Sequence, residues 1–237
     1  MITRIHNTDA EAACALIERI LQVTNERPAG QTVNIALSGG STPALMFRLW
    51  AEQYDAQTPW DRIRLFWVDE RCVPPTDEES NYGMTRDNLL NKINIPKENV
   101  VRIKGENTPE DEARRYETEV RSMVPEEEGF PQFDIVLLGA GDDGHTSSIF
   151  PGQEHLLTTD KAYAVGTHPK TGQQRIALTG MPIIHARLLI FLLTGKGKAQ
   201  VLADIIDQND AGPAAYVGHH ALHTVEVFTD KAAAEQA

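Results

Sequence analysis

VLLGAGDDGHTSSIFPG, residues 136–152, decides how the chain is read. An apolar strand runs into glycines, and two aspartates and a histidine follow directly. Gly139, Gly141 and Gly144 match the G-x-G-x-x-G spacing of a dinucleotide turn. Gly139 with Gly144, His145 and Thr146 comes near a P-loop, with His in the place of its Lys. Neither nucleotide reading holds. Pro151-Gly152 stops any helix begun after His145 within about two turns, whereas a dinucleotide crossover needs a helix of ~10 residues or more and an acid at the end of the next strand. Asp160 precedes that strand. Asp142 and Asp143 repel a pyrophosphate, and an imidazole does not supply the fixed charge of the missing lysine. The turn suits a titratable ring at the mouth of a sheet, where a general acid or base is useful near neutral pH. Asp143, two residues away, is placed to orient the ring or to pair with a cation. The competing reading is a histidine that caps a short helix or satisfies the loop.

Outward from this turn, apolar runs alternate with helical patterns. VNIALS (33–38), IRLFWVD (63–69), FDIVLLG (133–139), KAYAVG (161–166), RIALTG (175–180), RLLIFLLTG (187–195) and HTVEVF (223–228) read as strands. Several are apolar throughout, as parallel strands buried on both faces are. Helices are expected over 9–26, 43–52, 80–91, 109–123 and 197–207, and the first 20 residues read as an amphipathic helix rather than a signal peptide. The alternation predicts an α/β fold, a mostly parallel sheet with helices on both faces. Prolines fall between elements, and PEEEG (125–129) reads as a solvated loop.

The chain has 237 residues, 41% hydrophobic and 24% charged, which is ordinary globular composition. A single domain spanning 1–237 is expected, since a chain of this size buries roughly 70–75% of its unfolded surface in one core. No apolar run approaches the ~20 residues that span a bilayer. A formal charge of −12 argues against nucleic acid or an anionic membrane as partner. An anionic small molecule then needs a local cluster of cations. Cys14 and Cys72 form neither a disulfide framework nor a metal pattern, which points to a reducing cytoplasm. His155, His168, His185, His219, His220 and His223 lack metal-ligand spacing, and no metal or organic cofactor is expected. His219-His220 reads as a loop or strand edge, and Trp50, Trp60 and Trp67 as core anchors.

Ligands of open α/β sheets sit beyond the carboxyl ends of the strands, and two further strand ends carry candidates. In ALSGGSTP (36–43), Ser38, Gly39, Gly40 and Ser41 lead into a helix with Thr42 as N-cap and Pro43 at its first position. The backbone N–H groups can converge there on an anion; the alternative is an ordinary capped turn. Ala36-x-Ser38-x-Gly40 is also one residue short of a nucleophile elbow. In LFWVDERCVPPTDEESNYG (65–83), Asp69, Glu70 and Arg71 surface together. They form either a site or a salt-bridged strand end. TDEES (76–80) reads as a loop with Ser80 as a helix cap.

LSGGSTP, VDER, ESNYG, LLGAGDDGHTSSIFPG, QRIALT and TGKGKA follow one another in the order found in the 6-phosphogluconolactonases, which group with the glucosamine-6-phosphate deaminases and isomerases; the chain resembles the former over nearly its whole length. The resemblance implies a doubly wound α/β sheet with a smaller lobe. It implies hydrolysis of 6-phospho-D-glucono-1,5-lactone in the oxidative pentose phosphate pathway without an organic cofactor; a monomer or weak homodimer is expected. It places Asp69, Arg71 and His145 at the reacting end, and Gly39, Gly40, Arg175 and Lys198 at the sugar phosphate, Lys198 opening a helix and Lys196 facing solvent. Two departures separate the chain from the deaminases: Arg71 stands where they carry a tyrosine, and Phe150 where they carry a glutamate. In the implied reaction His145 or a water-bridged Asp activates water, Arg71 or a turn N–H holds the oxyanion, and Asp69 positions Arg71 or a sugar hydroxyl.

Overall fold

The computed structural model describes residues 1–207 and 210–235. In chain order its strands are β1 (Ile2–His6), β2 (Val33–Leu37), β3 (Ile63–Trp67), β4 (Asp69–Arg71), β5 (Glu126–Glu127), β6 (Phe130–Pro131), β7 (Ile135–Leu138), β8 (Tyr163–Thr167), β9 (Gln174–Leu178), β10 (Leu188–Leu193) and β11 (Thr224–Asp230). Its helices are α1 (Asp9–Glu26), α2 (Ser41–Leu49), α3 (Asn81–Asn88), α4 (Pro109–Met123), α5 (His155–Thr158), α6 (Gly180–Ile184), α7 (Ala199–Ile206), α8 (Pro213–His220) and α9 (Lys231–Ala234).

The unbroken apolar runs have no polar face to show water, so they pair side by side and are covered on both faces. They form a six-stranded parallel sheet in the order β1-β11-β10-β7-β2-β3. From β2 the chain steps outward to β3, then returns to the other side of β2 with β7 and continues through β10 and β11. The loops after β2 and β7 therefore diverge and leave a crevice at their carboxyl ends. Helix α1 buries Ala12, Ala13, Leu16, Ile17, Ile20 and Leu21 at helical spacing. The Thr8 hydroxyl caps it by accepting from the Glu11 amide at 3.1 Å, and Pro28 holds Arg27 extended at its end. Trp50, Trp60 and Trp67 are buried.

The run 63–69 is not one strand. At Val68 it leaves the parallel sheet, its amide donating to Leu37 O at 2.8 Å while its carbonyl accepts from Leu178 N at 2.6 Å. Asp69–Arg71 then pairs antiparallel in a three-stranded sheet, β4-β9-β8. The segments read as strands at 161–166 and 175–180 belong to this smaller sheet and not to the parallel one. The link between them is too short for a crossover, so they pair as a hairpin.

Four local expectations are corrected. Residues 2–6 form the exposed edge strand β1 rather than the start of a helix; its ladder to β11 outweighs a polar pattern with no alternation. Residues 125–129 hold strand β5 of a small hairpin rather than a free loop. His219 and His220 end helix α8, opened by Pro213. Helix α2 starts at Ser41 with Gly40 as N-cap, two positions before Pro43, because Gly40 at φ 109° takes the turn that a Thr cap cannot. Among the described residues no helix is long and apolar enough to cross a membrane.

Candidate active site

A cavity of about 260 Å³ opens at the β2/β7 crevice. Ser38, Gly39, Gly40 and Ser41 line it from the end of β2, His145 from the turn after β7, and Lys198 from the segment after β10. The smaller sheet contributes Asp69 and Arg71 from β4 and Arg175 from β9. Asp143 does not line the cavity; it stands behind His145.

The turn after β7 is closed by Gly144 N donating to Gly141 O at 3.0 Å and Gly141 N donating to His145 O at 2.9 Å. A side chain at 141 would run into the His145 ring and the Asp143 carboxylate, so the close approach requires glycine. No helix follows, which removes the reading of His145 as a helix cap. Its Nδ1 lies 2.5 Å from Asp143 Oδ1, which also accepts the His145 amide at 3.2 Å. This commits Nδ1 and leaves Nε2 as the ring nitrogen available to the cavity. Phe150, fully buried, packs against the ring with centroids 4.6 Å apart. Burial pushes the Asp143 carboxyl up, but the hydrogen bond and charge of His145 outweigh it and hold the group below its ordinary value. The clamp is therefore complete above the usual carboxylate range and is lost only as pH falls through that lowered value.

The three charged residues of β4 have three different fates. Asp69 is buried, accepting from Ser148 Oγ and, at 3.2 Å, from Asn81 Nδ2. It is engaged by these two and not by Arg71, which disfavours the first of its two expected roles, positioning Arg71, and leaves the second, a sugar hydroxyl. Glu70 points away from the cavity and caps helix α3. It accepts from Arg71 N and Asn81 N at 2.8 Å and from Tyr82 N and Ser80 Oγ at 2.9 Å. Burial pushes the Glu70 carboxyl above its ordinary value, an effect these donors only partly offset. Arg71 donates from Nη1 to Glu79 O at 2.6 Å, while its buried Nε has no partner among the described residues. Across the antiparallel ladder Arg71 stands opposite Arg175. Burial, then the Arg71 charge, lowers the Arg175 pKa.

Paired guanidiniums, an orphaned Arg71 Nε and an orphaned, buried Ser38 Oγ make a cavity that is short of acceptors. Buried polar groups in folded proteins are nearly all hydrogen-bonded, so these atoms are suited to an anionic, oxygen-rich ligand. Since Ser38 Oγ has no base within hydrogen-bonding distance among the described residues, the nucleophile elbow lacks its general base there. Ser38→Ala is expected to leave turnover within about tenfold of the parent, the size of one lost hydrogen bond, with the change in KM; steady-state kinetics checks it. Lys198 ends a short 3₁₀ turn, Lys196–Lys198, and is the N-cap residue of α7, so it opens that helix as expected. Its Nζ is held by Asp142 Oδ1 at 2.6 Å. Lys196 is exposed.

Sequence reasoning missed Asn81, Ser147 and Ser148. Ser147 and Ser148 take φ of 47° and 54°, a region that non-glycine residues rarely enter. The strain turns both hydroxyls inward. Ser147 Oγ sits 2.9 Å from Val68 O and 2.8 Å from Leu178 O, tying the two sheets together, and Ser148 reaches Asp69. Asn81 was within reach of the motif ESNYG, where it directly follows the cap Ser80; the serines carry no comparable signal.

A ligand crevice at the strand-order reversal, with an imidazole and paired arginines inside it, defines the class: an α/β protein built to hold and act on a small anion. The chain belongs to the family of glucosamine-6-phosphate isomerases/6-phosphogluconolactonase, whose model matches residues 7–226. A 6-phosphogluconolactonase of Treponema pallidum is 42% identical over 196 residues, covering 82% of this chain and 81% of that one. The human 6-phosphogluconolactonase is 34% identical over 238 residues, covering 97% and 91%. The solved 6-phosphogluconolactonase from Trypanosoma cruzi superposes with a TM-score of 0.88 at 32% identity, over 99% of this chain and 96% of that chain. A monomeric glucosamine-6-phosphate deaminase superposes at 0.84 with 22% identity, which shows the shared fold. The doubly wound α/β architecture expected from the sequence is the fold of these neighbours.

Proposed function

We propose that the chain hydrolyses 6-phospho-D-glucono-1,5-lactone to 6-phosphogluconate, the lactone step of the oxidative pentose phosphate pathway. The observation that carries this is His145: Asp143 fixes one ring nitrogen and leaves the other to a cavity shared with Arg71 and Arg175. The named relatives support the same substrate. Water attacks C1 while His145 Nε2 takes its proton. The tetrahedral oxyanion is held by Arg71 or an N–H of the 139–144 turn. The C1–O5 bond then breaks, and the imidazolium returns the proton to the departing ring oxygen. Asp69, fixed by Ser148 and Asn81, faces a sugar hydroxyl. Ser38–Ser41, Arg175 and Lys198 receive the phosphate. The enzyme acts in the cytoplasm as a monomer or weak homodimer, and its charge of −12 disfavours nucleic acid and anionic membranes.

An isomerising deaminase must move protons between carbons. Phe150, in van der Waals reach of His145, has no proton to give, and this favours the simpler hydrolysis. A coupled assay with freshly generated lactone, corrected for spontaneous hydrolysis, tests the proposal, with glucosamine 6-phosphate run beside it. Acceleration with the lactone alone is expected; turnover of the amino sugar alone would reverse the assignment. Arg175→Met is expected to raise KM about tenfold with kcat little changed, since a charge-assisted hydrogen bond contributes ~1.5–3 kcal/mol. The KM-against-kcat split in the same assay checks it.

A further inference from the structure

Asp142 and Asp143 are neighbours in one tight turn, yet they engage two different residues of the cavity lining. Asp143 clamps His145, and Asp142 accepts from Lys198 Nζ at 2.6 Å. The Lys198 side chain is 29% exposed and the Asp142 side chain 73% exposed. The segment carrying Lys198 is anchored from behind: Gly195 N donates to Asp230 Oδ1 at 2.9 Å, and Lys198 N donates to Gly195 O at 3.0 Å. The ammonium is thus presented at the cavity wall but already paired.

We propose that Asp142 is an affinity-setting residue: it keeps Lys198 occupied and yields it only to a doubly charged phosphoryl group, so that a phosphosugar is held less tightly than an unpaired Lys198 would hold it, while an unphosphorylated sugar is unaffected. The inference rests on the phosphosugar reading above and deepens it. The physical basis is competition for one ammonium. At equal distance and screening, a dianion attracts Lys198 twice as strongly as the single charge of Asp142 does, whereas a neutral hydroxyl brings no charge at all. The phosphoryl group displaces the carboxylate, and the hydroxyl of a free sugar does not. An exposed pair is easily opened, because such pairs contribute little net stability in water. Asp142 does not touch the reacting atoms, so it is a positioning residue that acts through Lys198.

The test is calorimetric titration of the full-length protein, Asp142→Asn, Lys198→Met and the double variant with 6-phosphogluconate, and separately with gluconate. Asp142→Asn is expected to tighten 6-phosphogluconate about three- to fivefold, the scale of an exposed ion pair. In the Lys198→Met background the same change is expected to shift Kd by less than about 1.5-fold, because the pairwise coupling has been removed. Gluconate affinity is expected to be the same with or without Asp142. Equal tightening with and without Lys198 would make Asp142 a mere contributor to the general field and overturn the proposal, as would no tightening at all. If the parent protein binds gluconate as well as 6-phosphogluconate, the phosphosugar reading itself falls, and this inference with it.

Discussion

His145→Ala is expected to lower turnover of the phosphorylated lactone by about 10²–10⁴-fold, the range supplied by one general acid–base group. The loss appears in kcat, while affinity for 6-phosphogluconate changes by less than about threefold, since the groups proposed to hold the phosphate, Arg175 and Lys198, are charge-assisted donors of their own. The expectation rests on how the ring is held. Asp143 holds Nδ1 at 2.5 Å, Phe150 backs the ring at 4.6 Å, and the closed 141–145 turn fixes its backbone. No other histidine lines the cavity among the described residues. Stopped assays for kcat and calorimetry for binding separate the two effects. Unchanged turnover would remove His145 from the mechanism and leave a water-bridged Asp69 as the base to examine next.

Glu70→Ala is expected to destabilise the fold by about 3–5 kcal/mol, the scale on which breaking a buried charged network falls. The carboxylate is 2% exposed and receives the Arg71, Asn81 and Tyr82 amides and the Ser80 hydroxyl. Asn81 and Tyr82 open helix α3, so their N–H groups have no partner inside the helix, and a negative charge there also meets the positive end of the helix dipole. Removal leaves these donors buried and unpaired. Glu70→Gln, which keeps one acceptor oxygen, is expected to cost less than half as much. Urea unfolding of both variants at neutral pH measures the difference. A loss below about 1 kcal/mol for Glu70→Ala would mean that water replaces the carboxylate, contrary to a buried cap. Activity is also expected to fall, because Asn81 at the start of α3 donates to Asp69.

Asp69, Glu70 and Arg71 show how far local sequence goes. Three charges at the end of a buried strand announce that something must compensate them, but not what. The compensation for Glu70 is a helix N-terminus 11–12 residues away along the chain. For Asp69 it is a serine 79 residues on. Arg71 keeps an orphaned nitrogen beside the cavity. The strands at 161–166 and 175–180 make the same point. Their apolar content was legible, whereas their sheet was set by a short link that forbids a parallel crossover.

Local chemistry written in the residues themselves marked the ends of the apolar runs, the glycine turns and the candidates Asp69, Arg71 and His145, because hydrophobic period and turn composition act over a few neighbours; Arg175 and Lys198 followed only from the family resemblance. Tertiary structure alone decided that Glu70 is a cap rather than a reactive group, that Asp142 already occupies Lys198, and that Ser147 and Ser148 accept left-handed backbone. Each of those depends on partners brought together from distant parts of the chain, and pairing across such separations is fixed only when the whole core closes.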